Sequence, residues 1–340
     1  MSFRWTNARL VAALLAVIGF VLPACAQAPQ RIVAIGDVHG DAEAWFAILR
    51  AAGLIDQANE WAGGETILVQ TGDIPDRGPD TLRIMRHLMA LQDQAAEAGG
   101  QVVALVGNHE AMNITGDLRY VTAAEFAAFA DENSEARRQE VWSQNRRSIK
   151  RAYRRRVPRI ENSDIEQTWR METPLGWAEH RQAWSPRGEL GSWVAGNPVV
   201  AKVGDTLFAH GGLSTEYAGQ SLAALNKRVR SELSRRDTSA DALINDPLGP
   251  LWYRGLVRRD AEDARRPPIK EEVTAILAAH DAARIVIGHT PVLDGVRYSG
   301  DRRVIQIDTG MSAHYGGVRG WLEIVGDDVT AGQVQDGNDQ

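Results

Sequence analysis

Two features of the sequence predict an α/β fold for this 340-residue chain. Short apolar runs rich in β-branched residues recur along it, and each leads into a polar, glycine-containing cluster. Stretches of helical period lie between them, so strand and helix alternate. The composition agrees: 44% hydrophobic and 24% charged residues exclude wholesale disorder, collagen-like repeats and a multi-span membrane protein. A single cysteine excludes an intramolecular disulfide and a cysteine-rich zinc site. A formal charge of −6 offers no large positive field to a phosphate backbone, so nucleic acid is not an expected partner.

The N-terminus reads as an export signal. Arg4 and Arg9 precede an apolar run over residues 10–22, and small residues follow, Ala24-Cys25-Ala26. The run is shorter than the ~20 residues of a comfortable membrane span. Residues 1–26 are read as a signal peptide cleaved after Ala26, which implies a periplasmic or secreted protein. The alternative is a lipoprotein box, Leu22-Pro23-Ala24-Cys25, which would tie the mature chain to a membrane through a lipidated Cys25.

The strands are expected in this order. Ile32-Val33-Ala34-Ile35 leads into Gly36-Asp37, and Ile67-Leu68-Val69 into Gly72-Asp73. Residues 102–106 lead into Gly107-Asn108-His109, and 199–208 into His210-Gly211-Gly212. Ile285-Val286-Ile287 precedes Gly288-His289, and 304–307 precede Asp308-Thr309-Gly310. Helices are expected over 41–52 and 81–98, where apolar residues recur at helical spacing. In such sheets functional groups gather just past the carboxyl ends of the strands, where every one of these polar clusters falls. From residue 113 to 196 the strand pattern stops, and this stretch is read as a mostly helical insertion. It carries nine Arg and one Lys between residues 137 and 159, and five of the ten Trp. The basic run reads as a solvated helix face or as a cap attracting anionic substrate, and the Trp residues as a small core of the insertion's own. The acidic, glycine-rich tail over 326–340 is expected to fray.

The strand-exit clusters carry the chemistry. Carboxylate, amide and imidazole are ligand types for hard-to-borderline divalent ions. Asp37 and His39 stand two apart on extended chain, so both side chains point the same way, as a chelating pair requires. Other residues carry weaker signals. His87 is expected to pack in its helix, and His180 and His280 to lie at the surface. Glu110 is expected to tie down its own loop. Asp308 fits either a turn or a brace for a metal-bound histidine, and Tyr253 either substrate contact or packing. His314 sits where it could reach the pocket.

Taken together, Gly36-Asp37-Val38-His39-Gly40, Gly72-Asp73-Ile74-Pro75-Asp76-Arg77-Gly78, Gly107-Asn108-His109-Glu110, His210-Gly211-Gly212 and Gly288-His289-Thr290 resemble the motif set of the calcineurin-like metallophosphoesterases. The Asp76-Arg77-Gly78 and Gly107-Asn108-His109-Glu110 forms resemble the phosphoprotein phosphatase branch. Within it, Gly249-Pro250-Leu251-Trp252-Tyr253-Arg254-Gly255 resembles the Shewanella-like bacterial-type protein phosphatases. The resemblance spans residues 31 to about 325 and implies a catalytic domain built as a four-layer αββα sandwich.

The resemblance also implies roles. Asp37 and His39 would bind one divalent metal, Asp73 would bridge two, and Asn108, His210 and His289 would hold the second, with manganese, iron or zinc as the ions. Such a pair shares a metal-bridging hydroxide that attacks phosphorus in line. Arg77, Arg254 and Asn108 would hold the phosphate; His109 would protonate the leaving oxygen, oriented by Asp76. The mature chain has no thiol, so a cysteine-phosphatase mechanism is excluded. The implied reaction is phosphomonoester hydrolysis on a phosphoprotein, a phosphopeptide (phosphotyrosine among them) or a small phosphate ester. The alternatives are a dinucleoside polyphosphate or other nucleotide phosphohydrolase, and a non-catalytic metal- or phosphate-binding protein. Pro75 and Asp41 depart from the pattern of many relatives.

Overall fold

The computed structural model describes residues 30–335 apart from 261, 262 and 264. The signal peptide read over residues 1–26 lies outside the described residues. The first half runs β1 (Arg31–Ile35), α1 (Ala42–Ala51), β2 (Ile67–Gln70), α2 (Thr81–Glu97), β3 (Gln101–Ala104) and α3 (Asn108–Thr115). Five helices follow: α4 (Ala123–Ala128), α5 (Ser134–Arg156), α6 (Asn162–Glu172), α7 (Trp177–Ala183) and α8 (Glu189–Gly196). The second half runs β4 (Val200–Val203), β5 (Thr206–Ala209), α9 (Thr215–Ala218), α10 (Leu222–Arg235), α11 (Ile269–Ala279), β6 (Arg284–Ile287), β7 (Arg297–Tyr298), β8 (Val304–Gln306), β9 (Gly320–Val325) and β10 (Asp328–Gln333).

The strands form two five-stranded sheets, ordered β10-β9-β1-β2-β3 and β4-β5-β6-β8-β7. Strands β1, β2 and β3 are mutually parallel in one, and β5, β6 and β8 in the other. Side-chain alternation shows how the sheets stack. Ile32 and Ala34 of β1 join Phe208, Val286 and Ile305 in one core, while Val33 and Ile35 join Trp45, Ile48 and Leu49 of α1 in another. The sheets therefore pack face to face, and helices cover their outer sides. Each fully buried aliphatic side chain is worth about 1.5–3 kcal/mol, and a one-residue slip would turn every one to the wrong face. Helix α1 starts where Asp41 accepts the Ala44 N–H at 2.9 Å, a side-chain cap that also fixes the exit from β1.

The sequence reading needs four corrections. The run over 199–208 is two strands, because Gly204 takes a left-handed φ of 58° and folds β4 back antiparallel onto β5. The tail does not fray from residue 326: β10 pairs with β9 along its whole length, ordered by backbone pairing that its polar composition did not announce. The Trp residues of the insertion do not share one core. Trp142 and Trp169 lie 5.1 Å apart, centroid to centroid, in a separate cluster with Tyr153 and Ile165, whereas Trp184 joins the main core. His180 is not at the surface but fully buried among Phe126, Phe129 and Trp184, because α7 wedges between α4 and α5. Among the described residues no helix is long and apolar enough to cross a membrane.

Candidate active site

The parallel strands of both sheets end at one edge, and the loops beyond them meet there. Their backbone is strained. His39, Asp73, Asp76, Arg77 and His289 have φ of 47°, 56°, 74°, 69° and 66°, in the left-handed region that costs a side-chain-bearing residue about 1–2 kcal/mol each. Hydrogen bonds hold the strain. Glu110, buried at the start of α3, accepts the N–H groups of Asp73 (2.9 Å), Ile74 (2.8 Å) and Gly107 (2.8 Å), so it ties down the β2 exit as well as its own loop. Gly72 sits so close to Gly107 that a Cβ would meet its nitrogen at 2.4 Å, and its own φ is 93°.

Asp73 is the centre of the cluster. Its Oδ2 lies 3.2 Å from His210 Nε2 and 3.7 Å from His109 Nε2. Two sets of donor atoms converge within 4.8 Å: His39, Asp73 and His109, and Asp73, His210 and His289. Asn108 Oδ1 lies 2.9 Å from His210 Nε2 in the second set. Asp37 lies beside the first, 3.9 Å from His39 Nε2, and its carboxylate accepts the His289 N–H at 3.1 Å. The expected residues thus come together, although His109 stands among the donors where Asp37 was expected.

The donor set fits divalent cations. His210 Nδ1–H donates to Thr71 O (2.9 Å) and His39 Nδ1–H to Pro75 O (3.1 Å), which leaves the Nε2 lone pair of His210 turned toward Asp73 and that of His39 toward Asp37. Among the described residues His289 Nε2 is buried without a hydrogen-bond partner. Charge points the same way. Burial, with the carboxylates of Asp308 and Asp73, pushes Asp37 well above the usual carboxylate range. Burial lifts Asp308 to about 6, and burial plus the Asp73 charge lift Glu110 to about 7. Burial alone would raise Asp73 too, but the imidazoles of His210 and His109 outweigh it and hold Asp73 low. Burial drops His39 to about 3 and keeps His289 well below its ordinary value, so both imidazoles favour the neutral form. This much negative charge in a buried place calls for cations.

Asp76 and Asn113 complete a second line. His109 Nδ1–H donates to Asp76 Oδ2 at 2.5 Å, and Asn113 Nδ2–H to Asp76 Oδ1 at 2.9 Å. Burial would lower His109, but the Asp73 charge and the Asp76 hydrogen bond outweigh it, so the imidazolium is favoured. A cleft of ≈ 90 Å³ opens over these groups, and Arg77 and Arg254 line it with Tyr120, Trp252 and Tyr315. Arg254 donates to His289 O (2.7 Å) and Thr290 Oγ1 (3.0 Å). Among the described residues neither arginine has a carboxylate within 4.0 Å, although Asp37 and Asp73 line the same cleft.

The weaker candidates sort out by contact. Asp308 accepts the Gly310 N–H and leaves Oδ2 buried and unpartnered near Asp37 rather than bracing a histidine. Asp41 caps α1 and also accepts the Ala313 N–H at 2.8 Å. His87 is structural, bonded to Trp45 Nε1 and Asn59 O. His280 is half-buried at the end of α11. His314 Nε2 lies 3.1 Å from Arg77 Nη1. Tyr253 packs: it is 2% exposed and its OH donates to Glu272. Sequence reasoning missed Tyr120, Tyr315 and Glu125. Glu125 of α4 is fully buried, and burial with the Asp76 charge pushes it to about 8. None of the three sits in a strand-exit motif, so no local signal marked them.

The comparisons with known proteins agree with this geometry. The chain is 32% identical over 305 residues to an uncharacterized Schizosaccharomyces pombe protein, covering 87% of this chain and 77% of that one. It is 32% identical over 293 residues to Shewanella-like protein phosphatase 2 of Arabidopsis thaliana, covering 84% and 72%. The crystal structure of a cold-active protein-tyrosine phosphatase from a psychrophilic Shewanella species superposes with a TM-score of 0.64 at 27% identity, over 90% of this chain and 81% of that one. The family profile described as calcineurin-like phosphoesterase matches residues 30–293. The chain belongs to the calcineurin-like phosphoesterase family, whose members use two divalent metal ions, and it is a metal-dependent phosphatase.

Proposed function

We propose that this phosphatase hydrolyses phosphate monoesters on proteins or peptides, phosphotyrosine among them. The observation that carries the reading is the pair of arginines that, among the described residues, have no carboxylate partner and face a buried acid–imidazole cluster across one small cleft. A planar guanidinium left free in such a place is suited to a phosphoryl group. Asp37, His39 and Asp73 would hold one cation, and Asp73, Asn108, His210 and His289 the other, with manganese, iron or zinc as candidates. When bound, the two ions supply Lewis acidity and an acidified water. Arg77, Arg254 and Asn108 orient the phosphoryl oxygens and offset the charge that develops on them. His109 gives its Nε2 proton to the leaving oxygen, while Asp76, on Nδ1, holds the ring and stabilises its charged form. Trp252 and Tyr315 give the cleft aromatic walls that suit an aryl leaving group, and the Shewanella neighbour is named as a tyrosine phosphatase. The export signal read at the N-terminus supports a periplasmic or secreted enzyme; mass spectrometry of the mature N-terminus tests it.

The enzyme reconstituted with each metal and assayed on phosphotyrosine peptide, phosphoserine peptide and a dinucleoside polyphosphate separates the substrate classes. Preference for the dinucleotide would replace this reading. Asp76→Asn should lower turnover about 10²- to 10⁴-fold with metal content unchanged. Unchanged turnover would remove His109 and Asp76 from the proton-transfer step.

A further inference from the structure

We propose that Tyr120 and Tyr315 form an aromatic clamp that keeps the Arg77 guanidinium out of the acid cluster and presents it to the phosphoryl group. This makes Tyr120 a positioning residue of the hydrolysis, and it rests on the reading of Arg77 as a phosphate ligand.

Arg77 poses a physical problem. Asp37 and Asp73 line its cleft, and a guanidinium free to swing would settle on a carboxylate in a charge-assisted pair. It does not. Its one side-chain hydrogen bond among the described residues is to His314, and its Nε is buried without a partner. Instead two rings hold it. The guanidinium carbon lies 4.7 Å from the centroid of Tyr120 and 5.0 Å from that of Tyr315. A π face attracts the cation without consuming its N–H groups, so the N–H edges stay free for phosphate oxygens. The rings come from segments far apart in the chain, the α3–α4 connection and the loop after β8.

Tyr120 is fixed at both ends. Its carbonyl accepts the Arg77 N–H at 3.0 Å, which pins the left-handed backbone that aims the side chain. Its ring also lies 5.0 Å from that of His109, and the Tyr315 ring lies 5.5 Å from that of His39. Each tyrosine therefore touches Arg77 and one imidazole of the cluster. Tyr120 is 39% exposed, so its ring stands at the mouth of the cleft and not in the core.

The test uses the metal-loaded full chain with inorganic phosphate as inhibitor and two esters, one aryl and one alkyl. Tyr120→Leu should raise KM for both esters and the inhibition constant of phosphate by about 2- to 30-fold, the range that aromatic–cation contacts supply. Tyr120→Phe keeps the ring and should stay within about twofold of the parent, which controls for folding. In an Arg77→Ala background Tyr120→Leu should add nothing, because the two residues act as a unit. A Tyr120→Leu penalty that persists without Arg77, or that falls on the aryl ester alone, would overturn the clamp and make Tyr120 a wall for the leaving group. Arg77→Ala impaired with Tyr120→Leu unimpaired would also overturn it. Arg77→Ala without effect on phosphate inhibition would instead bring down the site reading on which the clamp rests.

Discussion

The loop cluster at the strand ends and the α5–α6 arm of the insertion both concentrate charge, and they treat it in opposite ways. In the cluster Asp37, Asp73, Asp308 and four imidazoles are buried, and several of their ionisations are displaced by burial and by one another. In the arm most of the arginines face water, while Arg137, Arg138 and Arg170 are half-buried. Arg137, Arg138 and Arg156 pair with acids, while Arg146, Arg147, Arg151 and Arg155 are exposed and, among the described residues, have no acid within 4.0 Å. The arm's stability comes from a small apolar core around Trp142 and Trp169. Buried charge without full pairing is expensive and persists where a ligand completes it; solvated charge is cheap and says little about function.

Three variants break or sharpen this contrast. The largest effect falls on Asp73, shared by both donor sets: Asp73→Asn should abolish phosphatase activity and sharply lower bound metal by elemental analysis. Retention of both ions would mean that Asp73 does not bridge the sets.

The second effect is on stability and lies between the two regions. His180 is fully buried, and burial followed by the Arg181 charge holds it down at about 3. Its pKa is lower folded than unfolded, so between about 6.5 and 3 the unfolded chain binds the extra proton. Stability should fall as pH falls through that window, by at most about 1.4 kcal/mol per pH unit from this group. His180→Phe should flatten that part of the denaturation profile; an unaltered profile would place the acid sensitivity elsewhere.

The smallest effect belongs to the arm. Arg147→Gln with Arg151→Gln should change stability by no more than about 0.5 kcal/mol and leave turnover of a small aryl phosphate alone. If kcat/KM for an acidic phosphopeptide falls while the small ester is unaffected, the arm captures substrate and the contrast no longer holds.

Much of the site was legible because it is local. Asp37 and His39, Asp73 to Arg77, and Asn108 to Glu110 each occupy one turn after one strand, and the composition of that turn marks it. The role of Glu110 was legible only in outline: its loop was expected, its reach to the Asp73 and Ile74 N–H groups was not. The edge strand β10 was hidden because its polar residues carry no hydrophobic period, and pairing with β9 orders it. His180 was hidden because nothing in its own helix predicts the aromatic rings of α4 that enclose it.

By itself the sequence determined the strand-and-helix alternation and the strand exits that carry ligand-type side chains. These are properties of short segments, where backbone preference and side-chain chemistry act within one or two turns. The tertiary structure decided that Asp73 sits between two donor sets, that Tyr120 and Tyr315 close on Arg77, and that Glu125 lies buried near Asp76. Each of those depends on two packed sheets bringing distant loops to one edge, and that convergence is set by the collective burial of the cores, which no single segment encodes.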